Sequence, residues 1–103
     1  MNERQFKEIT QWQKETFPLA TVQSKLTHLH TEVEEVMSAL HFKDEHEIKL
    51  EFADCFILLF GAAASYGLNY KDIQCVIEEK MLINSQRKWG EPDENGVVNH
   101  IKE

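Results

Sequence analysis

The sequence predicts an all-α protein, an antiparallel bundle of four main helices with an irregular C-terminal tail, assembled as an oligomer. Three observations carry the fold. Apolar residues recur at steps of three and four through most of the chain, the period of an α-helix. Residues that start and stop helices stand between the periodic stretches. No two alternating segments read as a convincing strand pair. The 103 residues are 42% hydrophobic and 28% charged, the composition of one ordinary globular domain spanning 1–103.

The elements follow in order. A first helix is expected over about 3–16, opened by Asn2 with Gln5 three residues on, a capping-box pattern, and carrying Phe6, Ile9 and Trp12 at helical spacing. Phe17-Pro18 ends it. A second helix starts at Thr21 and repeats Val22, Leu26, Leu29, Val33, Val36 and Leu40 on one stripe. His41–Lys43 is the expected break. Asp44 and Glu47 form another capping-box pattern before a third helix over about 45–66, and Gly67 is placed to end it in the left-handed conformation. Asn69 can cap a fourth helix over about 70–88, with Ile73, Val76, Ile77 and Met81. Gly90, Pro92 and the Glu94-Asn95-Gly96 turn end regular helix, and Val97–Ile101 reads as short and extended or irregular.

Eighteen acids against eleven Lys and Arg give a formal charge of −7. Binding to a nucleic-acid polymer needs basic patches that displace counterions, so that class of partner is excluded. An anionic small ligand remains possible if a metal cation mediates. Cys55 and Cys75 match no disulfide or zinc pattern and read as reduced thiols packed in the core. The polar N-terminus holds no signal-peptide core, and the apolar run Phe56–Ser65 is too short to span a bilayer. The expected setting is the cytoplasm, with no membrane partner.

The chemistry lies in two helices. Lys25, His28, Glu32 and Glu35 form one stripe of the second helix, offset by one residue from its apolar stripe. Glu34 points elsewhere and reads as solvated. In the third helix Glu47, Glu51 and Asp54 repeat the arrangement beside Ile48, Phe52, Cys55 and Leu59. After Glu51, Asp54 is the only charge in a helix apolar on nearly all sides, which predicts burial. A lone buried carboxylate costs several kcal/mol unless it is paired or bound to metal. Two carboxylate pairs spaced i,i+3 on adjacent antiparallel helices can converge into an all-oxygen cage for Mg²⁺ or Mn²⁺. His28, one turn before Glu32, is either a core or cap histidine or a ligand-contacting group. Lys80, Asn84, Arg87 and Lys88 share roughly one face near the end of the fourth helix. That cluster either answers the helix dipole or forms a phosphate clamp.

Glu32-Val-Glu-Glu35 followed by Glu51-Phe-Ala-Asp54 resembles the ExxE…ExxD signature of the MazG-like all-α nucleotide pyrophosphohydrolases. Phe17, Thr21, His28-Leu29, then Lys80, Asn84, Arg87 and Trp89, then His100-Ile101, resemble the dATP/dGTP diphosphohydrolase branch. The resemblance spans about Trp12 to Ile101. It implies hydrolysis of (deoxy)nucleoside triphosphates, purine dNTPs among them, to the monophosphate and pyrophosphate. It implies Mg²⁺ or Mn²⁺ on Glu32, Glu35, Glu51 and Asp54, and dimers or tetramers. The family motif often begins with two adjacent acids, where this chain has Thr31 before Glu32.

Water attack at the α-phosphorus then needs metal to neutralise phosphate oxygens and a carboxylate to take the proton, either Glu35 or Glu32. Lys80, Arg87 and Lys88 would hold the outer phosphates, with Asn84 on a phosphate or sugar oxygen. Trp12, Phe17 and Trp89 are candidates for a base slot. A third helix apolar around its circumference is hard for one small protomer to cover, which predicts a homodimer or homotetramer. The competing readings are a catalytically silent nucleotide-binding module on the same bundle and a metal-dependent enzyme acting on another phosphorylated metabolite.

Overall fold

A computed structural model of the chain describes residues 1–42 and 44–102. Among these residues four helices form: α1 (Glu3–Thr16), α2 (Val22–Phe42), α3 (Glu45–Tyr66) and α4 (Tyr70–Gln86). α1 and α3 match the expected spans, α2 runs on through His41 and Phe42, where a break is expected, and α4 stops two residues before the expected 88. Lys43, in the expected break between the second and third helices, lies outside the described residues. Among the described residues there is no strand, only an isolated antiparallel bridge between Trp89 and His100. Among them, too, no helix is long and apolar enough to cross a membrane.

The caps explain the bounds. Asn2 accepts from the Gln5 amide at 2.9 Å and Asp44 from the Glu47 amide at 2.9 Å. Each satisfies one of the donors a helix N-terminus leaves orphaned. Thr21 and Ser24 cap α2 reciprocally, each hydroxyl accepting from the other's amide at 3.0 and 2.8 Å. Gly67 ends α3 with φ 115°, a left-handed turn that side chains other than glycine resist.

Met1–Tyr70 and Lys71–Glu103 are two compact units. In the first, α2 packs along α3 and α1 crosses onto α3. The short connection at 43–44 makes α2 and α3 antiparallel. Phe6 is buried, its ring 5.9 Å from Phe60 and 5.7 Å from Tyr70, whose hydroxyl donates to the Met1 carbonyl at 3.1 Å. In the second unit the tail folds back on the end of α4. The Gly90 amide donates to the Asn99 carbonyl at 2.9 Å, and the Asp93 carboxylate accepts from the amides of Asn95 and Val97.

Two expectations about burial need correction. The face of α2 turned inward is Lys25, Leu29, Glu32, Val36 and Ala39, all buried or half-buried. That line includes two of the charged positions. Leu26, Val33, Met37 and Leu40 instead remain 41%, 43%, 62% and 58% exposed. Nor is α3 buried all round: Phe52, Phe56 and Leu59 are exposed at 45%, 57% and 48%, and Asp54, on another side of the helix, is exposed too. The physical reason is that α3 has α2 and α1 to cover only part of its circumference. The burial cost inferred for Asp54 therefore does not arise within the single chain.

Gly61 and the alanines that follow it, small residues in sequence, let another helix approach α3 closely. Within the chain the close approach at Gly61 is made by α1. The amide of Gln13 is buried there and donates from Nε2 to the Ile57 carbonyl at 2.6 Å. A Cβ at position 61 would collide with the Gln13 side chain. Gly61→Ala is expected to lower stability by about 1–3 kcal/mol in urea unfolding, the usual cost of overpacking. Adding Gln13→Ala should recover part of the loss, a non-additivity that marks the contact.

Candidate active site

The antiparallel α2–α3 pair aligns the two acidic motifs. Steps of three and four keep Glu32 and Glu35 on one side of α2, and Glu51 rises from the facing side of α3. One carboxylate oxygen from each of Glu32, Glu35 and Glu51 lies within 4.8 Å of the others. Glu32 and Glu51 are half-buried and Glu35 is exposed. One Glu51 oxygen is fully buried. Like charges held this close repel, more so as burial removes water. An all-oxygen donor set of this kind suits a hard divalent cation.

Asp54 lies outside that tight triad, though one turn further along α3. Its charge nevertheless reaches the same place. Burial pushes the Cys55 thiol up, and the negative charges of Glu32, Asp54, Glu51 and Glu35 push it further. The charges of all four predicted acids thus act on one side chain. The effect keeps Cys55 a protonated thiol. Cys55 is half-buried and Cys75 exposed, so neither sits in the core where the sequence places it, because α2 and α1 leave much of α3 uncovered and α4 has no buried residue.

His28 is placed beside the acids. Its Nε2 lies 3.1 Å from Glu32 Oε1, with the ring largely exposed and the carboxylate sheltered. A histidine there orients the Glu32 carboxylate and occupies one of its lone pairs. Glu34, predicted to be solvated, is exposed and meets only His30, at 3.5 Å, among the pairings described.

The aromatic candidates of the first unit meet each other. The Trp12 and Phe17 rings stand 5.6 Å apart, edge to face, both about half exposed. Phe17 also borders a cavity of about 210 Å³ between α1, α2 and α3, whose wall includes Ala20, Lys25, His28 and Leu58. A larger hollow of about 690 Å³ adjoins it, sharing Phe17, Ala20 and Lys25. Sequence reasoning gave Lys25 no task beyond membership of the stripe. The structure shows a lysine only 8% exposed on the cavity wall.

In the second unit the remaining candidates gather at the end of α4. Lys80 and Lys88 are exposed, Asn84 and Arg87 half-buried. The Trp89 indole donates from Nε1 to the Asn84 carbonyl at 3.0 Å, and its ring meets His100 edge-on at 6.1 Å. Trp89 is thereby held in place while remaining about half exposed.

The model of the dATP/dGTP pyrophosphohydrolase family matches residues 5–103. Among solved structures the chain is similar to a MazG-like pyrophosphohydrolase of cyanophage S-2L. The two are 27% identical over 99% of each chain, with a TM-score of 0.78. That protein was solved with dGDP and three catalytic Mn²⁺ ions per active site. No curated protein matches the chain. With the family model covering nearly every residue and the fold shared end to end, the chain belongs to the dATP/dGTP pyrophosphohydrolase family and is a nucleotide pyrophosphohydrolase.

Proposed function

We propose that the chain hydrolyses purine deoxynucleoside triphosphates to the monophosphate and pyrophosphate, on Mg²⁺ or Mn²⁺ held by Glu32, Glu35, Glu51 and Asp54. The observation that carries this reading is the convergence of the Glu32, Glu35 and Glu51 oxygens within 4.8 Å. The Mn²⁺ and dGDP bound by the cyanophage relative support it. A divalent cation in this set neutralises phosphate oxygens and makes a neighbouring water more acidic.

The chain's own residues do the rest. The oxygen of the attacking water forms a bond to the α-phosphorus. The bond from that phosphorus to the oxygen bridging to the β-phosphorus breaks, and pyrophosphate leaves with the electron pair. Glu32 or Glu35 takes the water's proton. His28 holds the Glu32 carboxylate in place. Lys80, Arg87 and Lys88 supply positive charge for the β- and γ-phosphates, and Asn84 bonds a phosphate or sugar oxygen. Trp12, Phe17 and Trp89 offer flat surfaces for the base. A nucleotide substrate fits the expected cytoplasmic setting, and the exposed apolar faces of α2 and α3 fit a homodimer or homotetramer.

The test is product analysis over the eight common ribo- and deoxynucleoside triphosphates with Mg²⁺ and Mn²⁺. The expected products are a monophosphate and pyrophosphate, purine deoxynucleotides turn over fastest, and EDTA abolishes turnover. A diphosphate and orthophosphate as first products would overturn the mechanism. Tight nucleotide binding without turnover would point to a silent binding module instead.

A further inference from the structure

The hollow of about 690 Å³ opens where the start of α2 meets the later turns of α1 and α3. Among the described residues its wall holds two lysines, Lys14 and Lys25, and no carboxylate. The whole chain carries eighteen acids against eleven Lys and Arg, so a wall of this sign runs against the composition. Lys25 is the residue whose burial calls for a ligand. It is 8% exposed, donates to the Ser65 hydroxyl at 2.8 Å and makes only a long contact, 3.5 Å, with the Gly61 carbonyl. No carboxylate pairs with it among the described residues. Two neutral oxygens leave the charge itself uncompensated, and a buried charge in that state is costly. Of the ammonium's three N–H donors, one remains for a group in the hollow.

Further donors come from the first turn of α2. Thr21 and Val22 line the same hollow. The Thr21 hydroxyl accepts from the Ser24 amide at 3.0 Å, which leaves its own O–H to donate. The first intrahelical bond runs from the Lys25 amide to the Thr21 carbonyl. The Val22 amide precedes it, at the positive end of the helix dipole. Lys14, exposed in the last turn of α1, adds a second ammonium. Walls of one sign around a concave site raise the local concentration of the opposite charge. A carboxylate presents two oxygens in one plane. A phosphate group presents three or four around a tetrahedron and can take charged and backbone donors from several sides at once.

We propose that this hollow is a second anion site, which binds a phosphate group on Lys25, Lys14 and the start of α2 without a metal ion. Glu32 lies seven residues from Lys25 on the same inward line of α2, roughly 10 Å along the helix, so the site stands apart from the acids. Binding here does not depend on the hydrolysis proposed for those acids. The phosphate arrives either as a free anion, phosphate or pyrophosphate, or on a nucleoside monophosphate. A nucleotide pyrophosphohydrolase meets both kinds as products, and the hollow is of the size that small ligands occupy.

The test uses wild-type protein in EDTA, titrated with pyrophosphate, inorganic phosphate and dGMP at constant ionic strength and followed by amide NMR and Tm. Without a cation the acids repel all three anions, so they do not compete. Saturable binding that raises Tm is expected, with the NMR shifts concentrated at 21–25 and 61–65. Pyrophosphate or phosphate binding at least as tightly as dGMP upholds the site as one for a free anion. Binding of dGMP tighter by about ten-fold or more upholds it as one for the esterified group. Lys25→Met should weaken the binding by about ten-fold or more. Lys14→Gln, at an exposed residue, should weaken it by about two- to five-fold. No saturation with any of the three by about 10 mM would overturn the proposal. So would shifts centred on 80–88, or a folded Lys25→Met protein that binds like wild type. If Lys25→Met does not fold, wild-type affinity in Lys14→Gln overturns it instead.

Discussion

Glu51→Gln is expected to lower pyrophosphate release by about 10³-fold or more. The substitution is close to isosteric and removes one charge from a triad whose oxygens lie within 4.8 Å. One Glu51 oxygen is fully buried, so solvent cannot replace what the amide loses. Stability should move the other way: in the metal-free protein the neutral amide relieves repulsion, and Tm should hold or rise. A ligand that binds only the folded state stabilises it, so Mn²⁺ should raise the Tm of wild type. That rise should be much reduced in the variant, a readout independent of turnover. Glu34→Gln serves as the control. It carries the same chemical change within the facing acidic motif of α2, but Glu34 is exposed and points to His30, so turnover should stay within about two-fold. Retention of a tenth of wild-type activity by Glu51→Gln would remove Glu51 from the site.

Much of this was legible in the chain because local signals and tertiary structure agree. Asn2, Asp44 and Gly67 are read as caps, and each is one, since capping is decided within four residues. The two acidic motifs converge because an i,i+3 spacing and a short connection between antiparallel helices leave few alternatives. The inward line of α2 lies one residue away from the periodic apolar stripe. Periodicity finds the apolar stripe but cannot say which neighbour it serves. In the single chain α3 takes the adjoining line through Lys25 and Glu32, and the stripe through Val33 and Leu40 is left outside. The same ambiguity hid Lys25 and Gln13. A lysine or glutamine on a helix usually reads as solvated, and only packing shows that α3 covers both. Asp54 erred the other way, because an apolar helix implies burial only once all its neighbours are present.

Those uncovered stripes predict the second large effect. Val33, Met37 and Leu40 on α2, and Phe52, Phe56 and Leu59 on α3, form two apolar lines at helical spacing. Burying a large apolar side chain is worth about 1.5–3 kcal/mol, so the two lines together can repay the entropy of association. A two-fold axis would set each line against its copy, which is the commonest closed arrangement. Light scattering at micromolar concentration is therefore expected to give a dimer or tetramer of the 12.1 kDa chain. Phe56→Asp should dissociate it. Phe56 is 57% exposed in the single chain, so the substitution sacrifices modest internal packing. In the assembly it buries an unpaired charge from each copy, at several kcal/mol apiece. The expected weakening of self-association is about 10³-fold or more, with a lower, concentration-dependent Tm as folding loses the stabilisation from association. If wild type runs as a fully active monomer, or Phe56→Asp leaves the assembly intact, these stripes are not its interface.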